Sequence, residues 1–201
     1  MFEDMKKNRP KRYKVAGLGE WGVTDGIVFE NWRVADLTDM IPTFSNRYFG
    51  MDFGVNDPNA LVCFDFEAGQ KTIYVYDEFY QGNVTLDVIE AQVKERVGNN
   101  FVTCDAAGKQ NIIELCSRGV AAVPAVKGAD SITFGIQWLQ GYDIVVDYRC
   151  THFIDEISNY EWLKDKSGNI LDMPVDANNH LMDALRYGVE PLRFGNTRSK
   201  R

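Results

Sequence analysis

Four side chains in this sequence have the types and settings to do chemistry together: Asp52, Asp105, His180 and Asp183. Asp52 closes the run RYFGMDF at residues 47–53, where Tyr48, Gly50 and Asp52 share one face of an extended segment and Phe49, Met51 and Phe53 the other. A carboxylate inside such a strand needs a partner, because an unpaired buried charge is too costly to persist. A metal ion in a cleft is one partner; the alternative is an aspartate that caps its own turn ahead of Gly54. Asp105 ends a second short apolar run, residues 101–104. His180 and Asp183 stand three apart in NNHLMDALRYG, a spacing that puts both on one face of a helix.

Carboxylates, together with water and phosphate oxygens, are the ligand set of Mg²⁺ or Mn²⁺, hard cations that keep part of their hydration. Two such ions about 3.5–4 Å apart can activate a water and stabilise the leaving oxygen of a phosphodiester. Three aspartates without a Cys/His cluster favour that chemistry over zinc. His180 suits a proton carrier or an outer-shell ligand, since an unperturbed imidazole titrates near pH 6.5; a histidine that only hydrogen-bonds locally is equally consistent.

These residues need a scaffold. The pattern predicts strands over residues 47–53, 60–66 and 72–79, joined by short loops as an antiparallel meander. A helix capped by Thr85 runs to about residue 97, where Gly98-Asn99-Asn100 stops it. A strand at 101–104 follows, then a helix at 110–118, a nearly all-apolar strand at 120–126 expected to be covered on both faces, and a helix at 132–140 capped by Ser131. A strand at 143–147 and a helix from Thr151 to residue 160 lead into a β-hairpin over 160–172 with the charged tip Lys164–Asn169. Asn178 is placed to cap a last helix from residue 179 to 190, stopped by Pro191. The fold class is α/β: a mixed sheet, a three-stranded antiparallel meander extended by parallel strands through helical crossovers, flanked by helices. If strand 101–104 lies parallel to strand 47–53, Asp52 and Asp105 become neighbours at the carboxyl end of the sheet, where ligands of open α/β sheets gather.

At 201 residues the chain can bury one substantial core, and 45% hydrophobic with 25% charged residues is ordinary for a globular protein. No apolar run is long enough to span a membrane and no signal peptide is visible. Cys63, Cys104, Cys116 and Cys150 form no CxxC pattern and suit reduced thiols in a cytosolic setting. The net charge of -7 hides an uneven distribution. Residues 1–14 are net +4 and residues 193–201 net +4, leaving net -15 for the middle. Basic ends on an acidic body fit either sticky tails or a carboxylate site neutralised by divalent cations. Residues 1–40 are Gly-rich and irregular, with one short strand at 26–33 and no core stripe, and no G-x-x-x-x-G-K-[ST] occurs.

The segments MDFGVNDPNA, VTCDAAGK and NNHLMDALRYG resemble the nuclease domain of the large terminase subunit of tailed bacteriophages, the DNA-packaging motor protein. The likeness covers residues 47 to 191, and NHLMDALRY is its most specific piece. It implies an RNase H-like fold and a two-metal endonuclease that cuts concatemeric viral double-stranded DNA during packaging. It also implies Asp52, Asp105 and Asp183 as metal ligands for two Mg²⁺ or Mn²⁺ ions, with His180 as the histidine ahead of the last aspartate. By the same likeness, residues 1–46 are a connector to an upstream ATPase domain absent here, 47–192 the nuclease domain and 193–201 a basic tail. Expected partners are DNA, the small terminase subunit and the portal; the expected location is the host cytoplasm, outside the mature virion, with no membrane. Lys127, and Lys164 and Lys166 at the hairpin tip, are candidates for DNA phosphates, against a solvated turn and a merely soluble tip. Asp57 suits an Asx-turn before Pro58, Asp77 and Glu78 surface or supporting roles, and Arg186 and Tyr187 packing against the sheet.

Two rivals share these residues. Another RNase H-like nuclease, of the junction resolvase or integrase type, would prefer branched over linear DNA. A docking module for a portal or partner subunit would bind no metal, so Mn²⁺ titration would give no heat.

Overall fold

Residues 26–54, 56–126, 128 and 130–195 are described in a computed structural model of the chain. In chain order the strands are β1 (Trp32–Ala35), β2 (Arg47–Asp52), β3 (Asn59–Glu67), β4 (Thr72–Gln81), β5 (Val102–Cys104), β6 (Ala122–Pro124), β7 (Asp143–Asp147), β8 (Trp162–Lys164) and β9 (Ile170–Pro174). The helices are α1 (Leu86–Val97), α2 (Lys109–Ser117), α3 (Ser131–Leu139), α4 (Thr151–Asn159), α5 (His180–Gly188) and the single turn α6 (Glu190–Arg193).

β2, β3 and β4 form the expected antiparallel meander, with Met51 opposite Leu61 and Leu61 opposite Phe79. β5 and then β6 extend it in parallel beyond β2, while β7 pairs in parallel with β4 and β1 with β7. The result is a seven-stranded mixed sheet in the order β1-β7-β4-β3-β2-β5-β6. The period-2 alternation along β3 sends Val62 and Phe64 to one face and Leu61 and Cys63 to the other. The first face is covered by α3, α4 and α5 through Ile136, Phe153, Ile157, Leu181 and Leu185. The second is covered by α1 and α2 through Ile89, Val93, Ile112 and Leu115. β8 and β9 stand apart as a two-stranded hairpin.

Several expectations need correcting. The segment assigned to a connector, residues 1–46, supplies a strand of the main sheet within its described part: β1 pairs in register with β7, Trp32 opposite Ile144. Phe29, Trp32 and Leu37 are fully enclosed, and each such side chain contributes about 1.5–3 kcal/mol through burial. The Asp147 carboxylate, itself fully buried, accepts a hydrogen bond from the Leu37 N–H at 2.9 Å and ties the end of that segment down. The strand partner β7 and the Asp147 carboxylate lie more than 100 positions away, so no local stripe announced them. β6 is three residues long and lies at the sheet edge with Pro124 exposed, not covered on both faces; an edge tolerates a residue without an N–H. Pro191 does not end the last helix region but opens α6, where its missing N–H costs nothing. Thr85 makes no side-chain cap bond to α1, and Asn178 lies before the N-cap position of α5, which is held by Asn179.

Cys63, Cys104 and Cys150 are buried free thiols and Cys116 an exposed one. Among the described residues no helix is long and apolar enough to cross a membrane.

Candidate metal centre

Asp52 is the last residue of β2, on the face that α5 covers. β5 runs parallel to β2 with Gly50 opposite Thr103 and Met51 opposite Cys104, so the next residues in register are Asp52 and Asp105. The Asp105 N–H donates to the Met51 carbonyl at 2.9 Å, which pins the crossover to the end of β2. One oxygen of the Asp105 carboxylate accepts from the Ala107 N–H at 3.2 Å and fixes the turn into α2.

The other two groups arrive on α5. This helix lies directly on β2 because the seam between them is made of small residues. A Cβ on Gly50 would stand 1.8 Å from the Ala184 carbonyl oxygen, and one on Gly188 would stand 3.0 Å from the Gly50 nitrogen. With backbone against backbone, the first turn of α5 reaches the end of β2. His180 Nδ1 lies 3.2 Å from Asp52 Oδ2, within hydrogen-bonding distance. Asp183, one turn further, pairs with Arg186, whose Nη2 is 3.0 Å from Asp183 Oδ1. Arg186 is therefore bound to Asp183 and stacked on Tyr187 at 4.6 Å, not paired with the sheet as expected. The i,i+3 spacing of Asp183 and Arg186 was the available signal for that pair.

The electrostatics show that the acids sense one another. Burial, followed by the charge of Asp183, pushes Asp52 up to about 6; His180 pulls it back and Asp105 adds to the rise. Burial also raises Asp183, against the nearby Arg186, with Asp176 and Asp105 adding repulsion. Asp176, in the loop before α5, is an acidic neighbour that the sequence reading passed over. Among the described residues no three His, Cys, Asp or Glu side chains enclose a single point as they stand. The donor set nonetheless fits hard cations that retain water: carboxylate oxygens at a sheet end, with Arg186 beside Asp183 and His180 beside Asp52.

The hairpin lysines are exposed, Lys164 at the end of β8 and Lys166 at the tip, and the hairpin base is bridged to the chain by Ile27 opposite Glu161. Lys127 lies outside the described residues. Asp77 pairs with Arg96 at 3.2 Å. Asp57 is exposed, and its charge is felt by Tyr80. Glu78 accepts from the His152 and Phe153 N–H groups at the start of α4.

A family profile described as "Terminase RNAseH like domain" matches residues 52–191. The large terminase subunit of Bacillus phage SPP1 is 31% identical over 198 residues, covering 94% of this chain and 47% of that protein. That of Escherichia phage T5 is 28% identical over 96% of this chain and 48% of its own length. The chain thus spans about half the length of these relatives. Among solved structures, the nuclease domain of the SPP1 large terminase with bound Mn superposes with a TM-score of 0.76 at 28% identity, covering 81% of this chain and 97% of that one. The P22 large terminase nuclease domain, at 21% identity, shares the fold with a TM-score of 0.60 over 77% of this chain and 88% of its own. A mixed seven-stranded sheet flanked by helices, with acids brought near one another where β2, β5 and α5 meet, and a profile match from Asp52 through α5 place this chain in the terminase RNase H-like domain family.

Proposed function

We propose that this chain is the nuclease part of a large terminase and hydrolyses phosphodiester bonds in concatemeric viral double-stranded DNA during genome packaging. The observation that carries it is that Asp52 stands buried at one end of the sheet within reach of the charges of Asp183 and Asp105, which together with burial leave its carboxyl well above an ordinary one. Asp52, which feels both other acids, would hold two divalent cations, Mg²⁺ or Mn²⁺, with Asp105 and Asp183 each holding one. Such ions, when bound, supply a nucleophilic water and neutralise charge on the leaving oxygen. His180 orients the Asp52 carboxylate and is placed to carry a proton. Arg186 balances the Asp183 charge through its guanidinium at 3.0 Å. The proposal extends to the whole assembly: an upstream ATPase half, a small terminase subunit and a portal as partners, in the host cytoplasm and outside the mature virion.

The test is cleavage of linear and supercoiled DNA by purified protein with Mg²⁺ or Mn²⁺. Cutting should appear with metal and vanish with excess chelator, and calorimetric titration with Mn²⁺ should release heat. Stronger cutting of four-way junctions than of linear DNA would favour a resolvase; no heat at millimolar Mn²⁺ would favour a docking module. The hairpin can be tested in the same assay. Replacing Lys164 and Lys166 together by alanine should lower DNA affinity several-fold and flatten the slope of log affinity against log salt by about 1–2, the loss of one or two phosphate contacts. An unchanged slope would remove the hairpin from the DNA interface.

A further inference from the structure

We propose that Glu156, on α4, is a positioning residue for the acidic site: its carboxylate holds the first turn of α5 and so sets where His180 and Asp183 stand against Asp52. The role in metal binding rests on the nuclease reading above; the role in holding α5 does not.

α5 starts without a cap of its own. Asn179 at the N-cap position makes no side-chain bond to the helix, and its Nδ2 turns to Asp176 at 3.5 Å instead. The first-turn N–H groups are met from another helix. Glu156 Oε2 accepts from the Leu181 N–H at 2.7 Å and from the Met182 N–H at 3.3 Å. Glu156 is only 6% exposed, with Tyr80 of β4 beside its carboxylate and His180 close enough to stabilise its charge. A local serine or asparagine would satisfy the same donors without enclosing a charge. Burial pushes the Glu156 carboxyl up to about 7 against the pull of those N–H donors, so the site retains an acid that the surroundings disfavour.

The same device precedes it. α4 also lacks a local side-chain cap, and Glu78 of β4 serves it, with Oε1 on the His152 N–H at 2.9 Å and Oε2 on the Phe153 N–H at 2.8 Å. The sheet thus fixes α4 through Glu78, and α4 fixes α5 through Glu156. Two of the four site residues ride on α5, so its start must be held laterally and not only pressed onto β2. Supporting residues of this kind change metal affinity by about 10–100-fold when removed.

The experiment compares the full chain with Glu156→Met, which keeps the volume and removes the acceptor, Glu156→Ala in parallel, and Glu156→Gln, which keeps an accepting oxygen. Mn²⁺ affinity is read by calorimetry, and amide exchange at Leu181 and Met182 by NMR in metal-free protein. Glu156→Met should bind Mn²⁺ about 10–100-fold more weakly and lose protection at those two amides, while amides in β3 keep theirs. Glu156→Gln should stay within about threefold of wild type by that measure. A folded Met or Ala variant with wild-type Mn²⁺ affinity and protected Leu181 and Met182 amides would overturn the proposal, as would a Gln variant as impaired as Met. Wild-type protein that neither binds Mn²⁺ nor cuts DNA would sink the nuclease reading instead, and the amide protection would still decide whether Glu156 holds α5.

Discussion

Asp52→Asn is expected to reduce DNA cleavage by on the order of 10³-fold or more, while leaving the metal-free protein as stable as wild type or more so. Both effects follow from one cause. Asp52 sits buried beside Asp183 and Asp105, and its carboxyl is raised from an ordinary 3.8 to about 6. A group whose pKa is higher folded than unfolded contributes its stability below the unfolded value and loses it as pH rises through the folded one. Ionised Asp52 therefore costs the metal-free fold stability above about pH 6. A shift of this size corresponds to roughly 3 kcal/mol at most, reduced in effect to about 1–2 kcal/mol because asparagine also weakens the contact with His180. Thermal unfolding should show the variant ahead of wild type at pH 8 and the gap closing as the pH falls through 6 towards the unfolded value of 3.8. Metal-dependent cutting retained by the pure variant would remove Asp52 from the centre.

Gly50→Val should prevent folding or cost more than about 4 kcal/mol, and Gly50→Ala about 3 kcal/mol with weakened cutting. The atom a Cβ would strike is the Ala184 carbonyl oxygen at 1.8 Å, with the Gly188 nitrogen at 2.6 Å. Neither can rotate away as a side-chain end could, so α5 as a whole must lift from β2. Lifting it separates His180 and Asp183 from Asp52, so stability and chemistry fall together. For a chain of this length, 3 kcal/mol lowers the unfolding midpoint by about 6–12 °C. A Gly50→Ala protein melting like wild type would contradict the close approach of strand and helix.

What could be read from the sequence, and what could not, divides by distance along the chain. The meander, the crossover from α1 into β5 and the neighbouring positions of Asp52 and Asp105 follow from alternation and loop length, which are local. The pairing of His180 and Asp183 on one face follows from helical spacing. β1 was misread because its partner β7 is remote, and Trp32 finds its surroundings only in the finished fold. The helix starts were misread for the same reason. Nearby Asn178 looked like the cap of α5, yet the acceptor is Glu156, 25 residues before Leu181, while that of α4 is Glu78, 74 before His152. Gly50 and Gly188 looked like ordinary strand and helix positions, because the seam between them exists only when the two elements meet.

The pairing of β1 with β7 also bears on how the molecule comes into being. The Leu37 N–H waits for a carboxylate 110 residues later in the chain. On a ribosome adding about 5–20 residues per second, that is an interval of roughly 5–20 s. Throughout it Phe29, Trp32 and Leu37 have no native neighbour on that strand. The nascent polypeptide thus carries a sticky segment for the whole of that interval, a natural target for chaperone holding and a stretch exposed to misassembly between neighbouring chains.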